Sequence, residues 1–96
     1  MSPLKKKKLN KIRLKLDKLD NSLIKLIKRR TNLVNQVLKL KEKKKEIIDN
    51  IRIDKILKNI RKKSIANKID PKITNRIWKN MIWSYIDYEK RNFKKK

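Results

Sequence analysis

Residues 22–41, SLIKLIKRRTNLVNQVLKLK (Ser22 to Lys41), return an apolar side chain every three or four positions. That period belongs to an amphipathic helix. Its stripe runs Leu23, Leu26 and Ile27, then Arg30, then Val34, Val37 and finally Lys41. A guanidinium and an ammonium thus stand in line with side chains that a helix buries. Extending the pattern backward collects Leu9, Ile12, Leu16 and Leu19, and Ser2-Pro3 supplies an N-cap followed by Pro at the first helical position. The stretch therefore predicts one long first helix reaching Leu40. The following KEKKKE, Lys41 to Glu46, has no apolar residue and is expected to be a fraying end or loop.

Two shorter helices follow. Asp49 or Asn50 can cap one carrying Ile53, Ile56, Leu57 and Ile60 and ending near Asn67, a residue type that tolerates the left-handed conformation of many helix ends. Asp70-Pro71 opens the last, which presents Ile73, Ile77, Trp78, Met81, Ile82, Tyr85 and Glu89 before dissolving in FKKK. Of the two tryptophans, Trp78 is the one expected in the core. No strand-and-turn pattern appears, so the expected class is all-α, with three helices in one domain, 1–96, flanked by basic tails at about 1–8 and 93–96. A first helix of about 40 residues would be about 60 Å long. A compact domain of this size has a radius of gyration of about 13 Å. Two short helices cannot cover such a stripe, so either the long helix breaks or a second copy packs along it, and the second is preferred.

Composition removes most chemistries. The chain has no Cys and no His, which excludes thiol nucleophiles, disulfides, the usual zinc sites and a His base. Without Gly there is neither a phosphate-binding loop nor a dinucleotide fingerprint. The nine acidic residues form no calcium loop, so neither a cofactor nor a metal is expected. No apolar run approaches the roughly 18 residues of a membrane span, and the basic N-terminus lacks the apolar part of a signal peptide. A cytoplasmic protein without membrane contact is expected. The net charge of +23 attracts polyanions without choosing among them, and a general bias toward Lys, Ile and Asn explains much of it. A small helical nucleic-acid binder is the alternative that charge suggests, with Lys5–Lys8 and Lys94–Lys96 on phosphates. Against it, no recognition-helix spacing or base-stacking aromatic pair is present.

Arg30 and Lys41 are eleven positions apart, which returns them to within about 20° on a helix and separates them by about 16 Å. They either snorkel to solvent at the stripe's edge or meet an anion. Carboxylates near them in sequence are scarce.

The order IRLKLDKLDNSLIKLIKRR, KLK, DNIR, IDPKITNRIW and YIDYE, over about residues 9 to 92, resembles the type II chorismate mutases. That family opens with an Arg, a Leu/Ile-Asp pair seven residues on and an Arg ten beyond the Asp, as Arg13, Leu19-Asp20 and Arg30 do here. The resemblance implies an intertwined homodimer of three-helix chains with paired first helices. It also implies conversion of chorismate to prephenate, in phenylalanine and tyrosine biosynthesis, without a cofactor. By the same resemblance Arg13 reaches into the partner chain's site, and Arg30 grips a substrate carboxylate. Lys41 bonds a carboxylate and the ether oxygen of the breaking bond. Asp49 lies near the substrate hydroxyl, Arg52 near a carboxylate, Glu89 faces the ether oxygen, and Tyr85 joins the substrate-binding set. The catalytic group is Lys41, Glu89 and Arg30. Arg13 and Arg30 lie about 25 Å apart along a helix, too far to share a small ligand without a second chain.

One position departs from the pattern. The family usually has Glu after the arginine at position 52, and this chain has Ile53. Isochorismate pyruvate lyases, which share the fold, carry an apolar residue there and a Tyr-Ile like Tyr85-Ile86, whereas their counterpart of Glu89 is Gln. Release of salicylate and pyruvate from isochorismate is therefore the alternative activity on the same fold. Core packing also accounts for Ile53 under either activity.

Overall fold

The computed structural model describes residues 1–95; Lys96, the end of the expected C-terminal tail, lies outside them. Three helices occur, α1 (Pro3–Leu40), α2 (Asn50–Ala66) and α3 (Pro71–Asn92), with a short 3₁₀ turn at Lys44–Ile47 between the first two. There is no strand among the described residues. None of the helices is long and apolar enough to cross a membrane.

Local chemistry sets the ends. Ser2 Oγ accepts from the Lys5 N–H at 3.3 Å, and Pro3 takes the first helical position, so residues 3–8 of the expected basic tail are helix. Asp49 caps α2, its carboxylate accepting the Arg52 N–H at 3.0 Å. Asp70 does the same for α3 through the Lys72 N–H at 2.9 Å, with Pro71 beside it.

α2 closes on a double bond pattern, Ile69 N–H to Ser64 carbonyl at 2.8 Å and Lys68 N–H to Ile65 carbonyl at 3.1 Å. The two bonds satisfy carbonyls that the last turn leaves open, and they require a left-handed residue between them. That residue is Lys68, at φ 58°, and not Asn67, which has φ −97°. The expectation misses by one position because the cap is defined by where the bonds close.

The chain falls into two compact units, Met1–Leu33 and Val34 onward. The second holds the core: Leu38 from the end of α1, Ile47 from the 3₁₀ turn, and Ile82 and Ile86 from α3. Ile53, Ile56 and Leu57 of α2, with Ile48 and Phe93, pack against it. KEKKKE is thus neither frayed nor featureless: Glu46 accepts the Lys43 N–H at 2.9 Å, and the turn it closes delivers Ile47, 3% exposed, to the core. α2 and α3 are also tied at their shared end, where the buried Ser64 hydroxyl donates to the Ile60 carbonyl and lies 2.7 Å from Thr74 Oγ1. Trp78 is half-buried and Trp83 exposed, as the periodicity indicates.

The first unit is a length of α1 alone. Its apolar side chains Ile12, Leu16, Leu19, Leu23 and Leu26 are each more than half exposed. α1 runs unbroken from Pro3 to Leu40, so the helix does not break along the stripe.

Candidate active site

Lys41 comes one residue after α1 ends, its N–H bonded to the Leu38 carbonyl at 3.2 Å. It does not continue the helix, so angular spacing from Arg30 does not describe where its side chain goes. What describes it is a partner 48 residues later: Lys41 Nζ lies 3.3 Å and 3.4 Å from the two carboxylate oxygens of Glu89. Glu89 is 6% exposed and shares the inner face of α3 with Ile82 and Ile86, seven and three residues before it. A carboxylate on that face would be very costly without a cation, and Lys41 is the cation. The alternative of a solvated Glu89 paired with Lys90 or Arg91 is not what occurs. Arg91 instead meets Asp87 at 3.0 Å on the exposed side.

The contact is loose. Charge-assisted N–H···O bonds are commonly about 2.7–2.9 Å, and this pair stands at 3.3 Å.

Beside it lies an open hollow of about 520 Å³ lined by Lys41, Glu46, Ile48, Asp49, Asn50 and Ile51. That volume is in the range of small-molecule sites, roughly 300–1,000 Å³. Two of the expected binding residues, Lys41 and Asp49, therefore share one cavity wall. Asp49 has a structural duty too, because one of its oxygens is the α2 cap. Arg52 is exposed on the first turn of α2. Tyr85, half-buried, sets its ring edge-to-face with Tyr88, centroids 6.5 Å apart and planes at 87°. Ile53 packs on the core, which accounts for its apolar side chain.

Arg13 and Arg30 belong to the first unit, Arg13 exposed and Arg30 half-buried on α1. The second unit brings together Lys41 with Glu89, and Lys41 with Asp49.

Sequence reasoning overlooked one contact in this region. Tyr88 donates its phenol to Asn35 Oδ1 at 2.9 Å, joining α3 to α1. No spacing rule links an Asn to a Tyr 53 residues away. The Lys41–Glu89 pair did leave a trace, since Glu89 closes the stripe that Ile82 and Tyr85 belong to.

Among known proteins, the family model described as chorismate mutase type II matches residues 12–90. The match spans every one of the expected site residues from Arg13 to Glu89. Searches of curated proteins and of solved structures each returned no match.

Proposed function

The chain belongs to the type II chorismate mutase family, and on that premise we propose that it rearranges chorismate to prephenate. The observation that carries the reading is the Lys41–Glu89 contact at 3.3 Å, since these are the two groups the family sets against the substrate's ether oxygen.

The reaction is a concerted pericyclic step. The ether C–O bond breaks as a C–C bond forms, with no nucleophile and no net proton transfer, which suits a chain without Cys or His. Catalysis then consists of holding the dicarboxylate in its folded conformer and stabilising charge on the ether oxygen. Lys41 supplies positive charge there. Glu89 donates a hydrogen bond to the same oxygen when it carries a proton. Arg30 grips one carboxylate through its planar fork, and Arg52 lies near the other. Asp49 contacts the ring hydroxyl, and Tyr85 adds wall.

A second copy of the chain completes the site. The exposed side chains Ile12, Leu16, Leu19, Leu23 and Leu26 alternate in steps of four and three, the spacing of a helix-pairing seam. Pairing first helices would cover them and carry Arg13 into the neighbouring site.

One observation favours a second reading on the same frame. Ile53, an apolar side chain packed on the core, cannot bond a ring hydroxyl, and this suits cleavage of isochorismate to salicylate and pyruvate. Supplying chorismate and isochorismate separately to the purified protein tests both. Prephenate from chorismate is expected; salicylate and pyruvate from isochorismate would transfer the assignment to the lyase, and turnover of neither would end both readings.

A further inference from the structure

The second unit joins α3 to the end of α1 at several points of different character. Leu38 shares the buried cluster with Ile82 and Ile86. Lys95, past the end of α3, donates to the Lys39 carbonyl. Lys41 meets Glu89, and Tyr88 meets Asn35. The apolar contacts set which face of α3 turns inward, and the polar ties add directional restraint to them. α3 packs chiefly against α2, so its alignment with α1 depends on side chains that reach across.

Tyr88 and Glu89 are neighbours on α3 and point about 100° apart. Their partners are Asn35, in the last turns of α1, and Lys41, one residue past its end. Two ties leaving one helix in different directions, for anchors at different heights, fix both its rotation and its register. At a radius of about 6 Å, turning α3 by about 10° moves a side chain by about 1 Å. A displacement of that size at a reacting group can cost about 10²-fold in rate. The same Tyr88 ring also braces Tyr85 edge-to-face.

We propose that Asn35 and Tyr88 form a neutral latch that positions Lys41 and Glu89 for catalysis and holds Tyr85 at the wall. Both are positioning residues, since neither needs to touch substrate. The proposal rests on the mutase reading for its catalytic consequence and on the 2.9 Å bond for its geometry.

Tyr88→Phe removes the hydroxyl and leaves the ring contact with Tyr85. In the full-length protein, with chorismate as substrate, kcat is expected to fall about tenfold while KM stays within about twofold. Circular dichroism is expected to show the variant fully folded at the assay temperature. Asn35→Leu matches it, the double variant is no slower than the slower single one, and Asn35→Asp, which keeps an acceptor, stays near wild type. A merely structural bond would lower the melting temperature and leave kcat per folded chain untouched; that outcome in Tyr88→Phe overturns the latch. Nuclear magnetic resonance of the Lys41 ammonium is read in parallel and needs no turnover. If the wild type consumes neither chorismate nor isochorismate, the mutase reading falls, and the latch is decided by this signal. A shift in Tyr88→Phe upholds the geometric role, and an unchanged signal removes it.

Discussion

Lys41 is asked to supply the largest single electrostatic contribution, so its removal is the most direct measurement of the proposed chemistry. Deleting one preorganised donor of this kind typically costs about 10²–10³ in rate. Lys41→Ala is expected to lose that much in kcat, and steady-state kinetics near wild type would dismiss Lys41 from the site. Glu89 makes a different prediction. Glu89→Gln keeps a donor at that position, so its kcat on chorismate is expected to stay within about tenfold of wild type, whereas Glu89→Ala is expected to lose about 10²–10³. Equal kinetics in wild type and Glu89→Ala would withdraw the donor role. At this scale the sequence was readable up to a point. Glu89 stands at the end of the apolar stripe of the third helix, after Ile82 and Tyr85, and the family resemblance gave it a role. Its partner did not announce itself, because 48 residues of chain separate them and only packing brings them within 3.3 Å. The Tyr88–Asn35 bond left no mark at all, being made by residue types that are ordinary on any helix.

Among the helices, ends were more legible than connections. Ser2-Pro3, Asp49 and Asp70-Pro71 fix three N-termini through bonds that span two or three residues, and so the sequence contains everything they require. The 3₁₀ turn at Lys44–Ile47 is the opposite case. Its order comes from Ile47 entering a core contributed by α1 and α3, a tertiary cause invisible in KEKKKE. The cap that Asp49 makes and the substrate contact proposed for it can be separated by substitution. Asp49→Asn keeps the cap and removes the charge, so thermal stability is expected to change by only a few tenths of a kcal/mol while kcat/KM on chorismate falls. Asp49→Ala is expected to lose about 1 kcal/mol as well, read by denaturant unfolding. Equal kinetics in wild type and Asp49→Asn would leave the residue a cap and nothing more.

For the whole molecule the decisive question is how many chains make a site. A dimer in sedimentation at micromolar concentration is expected, and a monomeric mass would contradict the shared site. Complementation tests the sharing itself. Arg13→Ala and Lys41→Ala each disable every site in their own dimers. If Arg13 crosses to the neighbouring chain as proposed, a mixed dimer has one site with Lys41 from one chain and Arg13 from the other, and that site is whole. Random exchange makes about half the dimers mixed, so about a quarter of wild-type activity is expected to return on mixing and incubating the two inactive proteins. No recovery would mean that Arg13 serves its own chain or none. α1 also brings opposed forces to the same contact. Its leucines invite a neighbour, while lysines at positions 5–8, 11, 15 and 18 push an identical rod away. Dissolved salt weakens only the second of these. Self-association is therefore expected to tighten as sodium chloride is raised from about 0.05 to 0.5 M, the reverse of what counterion release imposes on a protein gripping DNA or RNA. The ionic atmosphere, rather than any further side chain, becomes the adjustable component of the proposed pairing.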